Sequence, residues 1–261
     1  MKTLVKKIDA AYFGGVFQRT WANLADLLLS PIPVTGAEPV RGCDRRIVIH
    51  YRKDTSSQLA ALCDKYGSDK GEIKTSGHPY PWASTTYADY YSLLFGDRRE
   101  KIRDVFECGI GTNDPDAPST MGEQGRPGAS LRVWREYFPN AQILGADIDR
   151  DILFEEDRIR TRYVDQTSPD SIRELWNSTN VESFDIMIDD GLHDYQAGIC
   201  LFENSIQRLS QNGFYIIEDI MPKDLAMYQR YFADKGYRVE YINLFRSDAV
   251  VIDNNLVVIR K

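Results

Sequence analysis

From residue 103 onward, short apolar runs alternate with stretches whose apolar residues recur at helical spacing. The alternation predicts strands at about 103–108, 142–147, 160–164, 184–189, 213–218, 237–244 and 254–260. Between them the spacing predicts helices over 130–138, 150–157, 168–178, 195–210 and 222–235. Alternating strands and helices mean a mostly parallel sheet with helices on both faces. Only a short loop, Arg246 to Asn254, separates the last two strands. They must pair antiparallel as a hairpin, because a parallel return needs a long crossover. The expected class is therefore α/β, with a seven-stranded, mostly parallel sheet ending in a C-terminal antiparallel hairpin.

Upstream the pattern is looser. Val5, Ile8, Tyr12, Val16, Trp21, Leu24, Leu27 and Leu28 recur at helical spacing across 1–30, broken near Gly14 and Gly15. Pro31, Pro33, Gly36 and Pro39 then punctuate a linker. A short strand is expected over Arg46 to Tyr51, with His50 structural, and a helix over 56–66. We divide the chain into an N-terminal helical extension and linker (1–55) and a main domain (56–261). The extension is expected to cover the domain or to contact another copy. Next comes Y-G-S-D-K-G, a glycine-rich turn of mixed charge, and then an aromatic segment with His78, Tyr80, Trp82, Tyr87, Tyr90 and Tyr91. The last three tyrosines share one helical face, which reads as core. A roof over a substrate pocket is the other reading of this segment.

Composition narrows the partners. The net charge is −7, so a nucleic-acid partner, whose phosphates favour a basic face, is not expected. The four cysteines are scattered without a C-x-x-C pair, which fits reduced thiols rather than a disulfide or zinc framework. The basic start M-K-T-L-V-K-K meets Asp9 at once and lacks the apolar run of a signal peptide. No stretch approaches the length of a membrane span, and a cytoplasmic location is the expectation.

Candidate chemistry gathers where strands end. Ser183 to Tyr195 reads S-F-D-I-M-I-D-D-G-L-H-D-Y, a buried strand running into two acids, a glycine and a histidine. Such strand ends are where open α/β sheets bind ligands. The chain has three histidines in all, so one in this position reads as functional. Asp190 is the candidate metal ligand and His193 the candidate general base. The first main strand ends in E-C-G-I-G-T, whose glycines Gly109 and Gly111 let the backbone pass close to a ligand. A dinucleotide fingerprint would need a third glycine at 114, where Asp stands, and the acid Glu107 also disfavours a pyrophosphate. The second strand ends in G-A-D-I-D, so Asp147, with Asp149 behind it, can accept ribose hydroxyls. The third ends in V-D-Q-T, where Asp165 or Gln166 can reach an adenine amino group. An acidic loop capping the next helix is the plainer alternative for these positions.

E-C-G-I-G-T, G-A-D-I-D and the seven-strand pattern resemble a class I S-adenosylmethionine-dependent methyltransferase, with its Rossmann-like fold. D-K-Y-G-S-D-K upstream, S-L-R-V-W-R-E-Y-F-P-N-A-Q-I-L-G-A-D-I-D in the middle and I-D-D-G-L-H downstream are similar to a narrower group. These are the metal-dependent sugar O-methyltransferases, including macrolide deoxysugar and rhamnosyl 2-O-methyltransferases, with cephalosporin hydroxylase-like relatives. The resemblance covers roughly residues 60–222. It implies that Glu107, Gly109 and the Ser130 region surround the methionine half of the cofactor, although Ser130 also reads as a helix N-cap. Asp189 is counted with the cofactor-side residues, turned toward the sheet or capping the next helix. The group has D-G-S-H where this chain has D-G-L-H with Leu192, which leaves the acceptor contacts open.

In that topology the fourth and fifth strands are neighbours, so Asp190 and the I-I-E-D-I acids Glu218 and Asp219 converge on one cation. The resemblance implies the same three positions. An all-carboxylate set suits Mg²⁺ or Mn²⁺. The implied chemistry is methyl transfer to a sugar hydroxyl of a small-molecule or glycosylated acceptor. The cation lowers the hydroxyl pKa and His193 takes the proton. A homo-oligomer is the expected state. The competing readings are a catechol-like acceptor, a NAD-dependent oxidoreductase and a non-catalytic cofactor-binding partner of another enzyme.

Overall fold

The computed structural model describes residues 45–51 and 53–261, within a compact unit spanning Gly42–Lys261. The helices expected over 1–30 and the linker after them lie outside the described residues. Nine described strands form one sheet: β1 (Arg45–Tyr51), β2 (Asp104–Cys108), β3 (Gln142–Asp147), β4 (Glu155–Glu156), β5 (Ile159–Tyr163), β6 (Phe184–Asp189), β7 (Leu209–Ile217), β8 (Arg238–Arg246) and β9 (Asn255–Arg260). Their order across the sheet is β1-β8-β9-β7-β6-β2-β3-β5-β4. All seven strands read from residue 103 onward are there. β8 and β9 pair antiparallel from Arg238↔Arg260 to Asn243↔Asn255, as the short loop requires.

Two additions lie at the edges. β4 pairs antiparallel with β5. β1 pairs in parallel with β8 along its whole length, so the strand assigned to the extension belongs to the main sheet. The compact unit therefore begins near residue 42 and not at 56.

Six described helices cover the two faces: α1 (Gln58–Tyr66), α2 (Tyr87–Phe95), α3 (Ala129–Tyr137), α4 (Pro169–Asn177), α5 (Tyr195–Ser205) and α6 (Pro222–Phe232). A central strand in such a sheet is buried on both sides and reads as a continuous hydrophobic run. In β6, Ile186 and Ile188 join the core built with Leu59, Tyr91 and Trp134 of α1, α2 and α3. Met187 between them joins the opposite core, with Ile172, Phe202 and Leu225 of α4, α5 and α6.

The helix expected over 150–157 does not form. Asp149 caps a single 3₁₀ turn, Arg150–Ile152, and the chain then extends into β4. Ile152, Leu153 and Phe154 are three successive apolar residues, which one helical face cannot bury together. Phe154 is held extended by its backbone N–H and carbonyl, both bonded to the Thr161 hydroxyl. Among the described residues no helix is long and apolar enough to cross a membrane.

Candidate functional site

The loop after β6 is set by backbone bonds from both neighbouring strands. Asp190 N–H donates to the Cys108 carbonyl at the end of β2 (2.8 Å), and Glu218 N–H after β7 donates to the Asp189 carbonyl (2.9 Å). Gln166 clamps the loop from the β5 side. Its amide donates to Asp189 Oδ1 (2.9 Å) and its carbonyl accepts from Leu192 N–H (2.8 Å). A Cβ on Gly191 would lie 2.0 Å from that carbonyl oxygen, which explains the glycine. Asp194 caps α5 by accepting from the Gln196 and Ala197 amides. Between these anchors His193 has φ 56°, and Asp219 in the facing loop has φ 52°. Left-handed backbone costs roughly 1–2 kcal/mol at a residue with a Cβ. Only three described non-glycine residues carry it, and two of them meet here.

His193 Nε2 lies 3.4 Å from Asp190 Oδ1 and 3.6 Å from Asp219 Oδ2. One ligand atom from each of Asp190, His193 and Asp219 falls within 4.8 Å of the others, close enough to share an ion. Tyr87 fixes Asp219: its hydroxyl donates to Oδ1 (2.6 Å) and accepts from the Asp219 N–H (3.0 Å). Glu218 is turned inward and is 1% exposed, with Tyr91 Oη donating to Oε1 (2.5 Å) and Lys70 Nζ on Oε2. Lys70 also pairs with Asp190 Oδ2 (2.6 Å) and Glu107 Oε1 (3.3 Å).

The charges are unbalanced. Burial pushes Asp219 up to about 7 and Glu218 well above the carboxylate range. Burial would raise Asp190 as well, but the Lys70 ammonium and His193 outweigh it and hold it at about 2. Carboxylates exceed cations at this edge, and a divalent ion would relieve the excess. The carboxylate oxygens of Asp190 and Asp219 are the kind of donor a hard cation takes, with the His193 imidazole beside them.

The expected cofactor-side residues are placed as follows. Gly109 and Gly111 have φ 85° and 83°, so the glycine turn is real. The space each leaves is filled by the chain itself, since a Cβ would meet the Asp190 carbonyl oxygen at 2.0 Å or Met121 Cγ at 2.7 Å. Gly109→Ala should therefore displace the Asp190 loop and cost roughly 2–4 kcal/mol in denaturant unfolding. An unchanged midpoint would contradict that packing. Asp147 is buried and accepts from Ile110 N–H (2.8 Å) and Asp149 N–H (2.9 Å). Asp149 is less buried and accepts from the Thr112 hydroxyl. Of the pair at the β5 end, Gln166 is occupied in the clamp and Asp165 is the more exposed. The crevice between β2 and β3 carries no basic side chain over 105–112 or 145–149. The acid Asp147 at the β3 end is placed as the ribose-binding acid of such a crevice is.

Glu107 is fully buried, accepts from Trp134 Nε1 (2.7 Å) and pairs with Lys70, so it lies behind the crevice wall. Ser130 is not an N-cap. The cap position is Gly128, whose N–H bonds to the Ile110 carbonyl (2.7 Å), and Ser130 sits in the first turn of α3. Asp189 does not cap α5, which is the role of Asp194. It points inward with Oδ2 accepting no hydrogen bond, and burial pushes it up to about 6.

Lys70 is the site residue that sequence reasoning passed over; Tyr87 and Tyr91 read from the sequence as core or as a pocket roof. Lys70 had a signal: a lysine between Gly67 and Gly71 in Y-G-S-D-K-G. Gly71 lets that turn press on α2, where a Cβ would lie 2.4 Å from Ala88 Cβ. Thr85 and Ala88 amides donate to the Asp69 and Lys70 carbonyls (2.8 and 2.7 Å) and lock it there. The tyrosine rings are core, as the helical face implied, and their hydroxyls reach the site acids.

No family model matches the chain. The rhamnosyl tetracenomycin-C 2'-O-methyltransferase of Streptomyces olivaceus (8-demethyl-8-alpha-L-rhamnosyl substrate) is 31% identical over 176 residues, 67% of this chain and 41% of that protein. Demethylmacrocin O-methyltransferase of Streptomyces fradiae is 31% identical over 170 residues, 64% of this chain and 40% of that one. The chain thus spans less than half the length of the curated relatives it matches. Among solved structures, the MycE methyltransferase of the mycinamycin biosynthetic pathway, in complex with Mg, SAH and mycinamycin VI, aligns with a TM-score of 0.55 at 22% identity, over 78% of this chain and 55% of that one. In sequence this chain resembles sugar O-methyltransferases, and its fold is that of a class I methyltransferase.

Proposed function

We propose that the protein is an S-adenosylmethionine-dependent, divalent-metal-dependent O-methyltransferase acting on a sugar hydroxyl of a glycosylated small molecule. The observation that carries this reading is the convergence of Asp190, His193 and Asp219 within 4.8 Å at the β6–β7 edge, beside the glycine crevice of β2 and β3. The relatives that act on rhamnosyl and macrolide substrates supply the acceptor class.

Asp190 and Asp219 would hold the cation, with Glu218 behind them on Lys70 and Tyr91. Its chemistry there is that of a Lewis acid, lowering the pKa of a bound hydroxyl. His193 Nε2 receives the hydroxyl proton, and the carboxylates of Asp190 and Asp219 beside it stabilise the resulting imidazolium. Tyr87 and the left-handed backbone of His193 and Asp219 keep both groups aimed at the same point. Asp147, with Asp149 and Asp165 near it, would hold the donor's adenosine, and the bound donor would supply the methyl group to the hydroxyl oxygen.

The test is methyl transfer from labelled S-adenosylmethionine to rhamnosyl and deoxysugar acceptors, with catechols and free sugars in parallel, in Mg²⁺ and in EDTA. Transfer to a glycosylated acceptor that EDTA abolishes is the expected result. Transfer to catechols alone would move the acceptor class, and no transfer with saturable NAD binding would replace the reading.

A further inference from the structure

The carboxylate cluster carries its own cation. Lys70 Nζ lies 2.6 Å from Asp190 Oδ2 and 3.3 Å from Glu107 Oε1, and it contacts Glu218 Oε2. Only 4% of the Lys70 side chain is exposed, and the side chains of Glu107 and Glu218 are fully buried. Three strand ends, β2, β6 and β7, thus bring three acids to one ammonium. The division of Asp190 is specific. Oδ2 faces Lys70, and Oδ1 faces His193 across 3.4 Å, on the side shared with Asp219. The lysine is delivered by backbone locked onto α2, through the Ala88 amide on its own carbonyl (2.7 Å).

Carboxylates removed from water are costly unless a cation partners them, and taking away one member of such a set leaves the others uncompensated. We propose that Lys70 is a built-in counter-ion: it holds Glu107, Asp190 and Glu218 together in the cation-free protein and sets Asp190 so that Oδ1 is left for the divalent ion. The second half of this rests on the metal-dependent reading above; the first half does not. Lys70 is a positioning residue. Without it Glu107 and Glu218 lose the cation they pair with, and the fold comes to depend more on an added cation.

Lys70→Met tests this, with thermal midpoints taken in EDTA and in Mn²⁺, beside calorimetric titration of Mn²⁺ into the wild-type protein. The midpoint of Lys70→Met is expected to fall in EDTA by roughly 5 °C or more, and Mn²⁺ should raise it further than it raises the wild type. A double variant, Lys70→Met with Glu218→Gln, removes one of the stranded carboxylates along with their partner and should recover part of the EDTA loss. It also covers the case in which the single variant does not fold. An EDTA midpoint equal to wild type, or a double variant no better than the single, would overturn the counter-ion. A Mn²⁺ shift no larger than that of wild type would overturn the link to the cation site. Absence of Mn²⁺ heat with the wild type would instead sink the metal-dependent reading, and the EDTA comparison would still judge Lys70.

Discussion

His193→Ala is expected to lower methyl transfer about 10²- to 10⁴-fold, the usual contribution of a positioned general base. Divalent-cation and cofactor affinities should change little if the imidazole serves as the base. A parallel collapse of cation affinity would make His193 a ligand in the Asp190–Asp219 group and remove it as the base. The pH behaviour separates the two states of the site. Burial lowers the His193 pKa, but the charges of Asp219, Asp190 and Asp253 outweigh it and push the group up to about 10 in the cation-free protein. The side chain is 29% exposed, so solvent screening tempers that rise. The sign is that of a raised base. The ion pair contributes fully below the unfolded value near 6.5, and its contribution is lost as pH rises through the folded value. With the carboxylates engaged by a cation, the imidazole should return toward its ordinary range and become a competent base near neutrality. An NMR titration of the imidazole in EDTA and in Mg²⁺ checks this. A titration midpoint indifferent to Mg²⁺ would refute the coupling.

Asp190→Asn should have the largest effect on cation binding, because among the described residues Asp190 pairs with both Lys70 and His193 of the His193–Asp219 group. Asparagine keeps the shape and removes the charge. Loss of affinity for Mg²⁺ or Mn²⁺ should exceed the roughly 10–100-fold seen when only outer-shell partners change. Stability should fall far less. Lys70 keeps Glu107 and Glu218, and Asp190 is 22% exposed, so a loss of about 1–2 kcal/mol is expected in urea unfolding. Unchanged calorimetric binding of Mn²⁺ would remove Asp190 from the cation site. A stability loss approaching that of Lys70→Met would mean that Asp190, and not the lysine, organises the buried acids.

Much of this was legible one residue at a time. The strands of the central sheet are buried on both faces, so their hydrophobic runs are continuous and mark themselves. The antiparallel hairpin followed from loop length alone. The D-D-G-L-H stretch announced a site, because acids and a histidine at the end of a buried strand have few other uses. Local spacing failed where a side chain's role is set by distant partners. Glu107 reads as a crevice residue until Trp134 and Lys70 claim it from α3 and the α1–α2 turn. Gln166 reads as an adenine contact until its amide is found on Asp189 and Leu192. Residues 150–157 read as a helix until Thr161 holds Phe154 extended.

The sequence by itself determined the sheet, its hairpin and the strand ends where chemistry collects, since burial period, loop length and glycine turns are local properties of the chain. Only the tertiary structure decided which acids share a cation and which share a lysine. That depends on charges brought together from positions 70, 107, 190, 218 and 219, and a buried charge is governed by whichever opposite charge the fold places beside it.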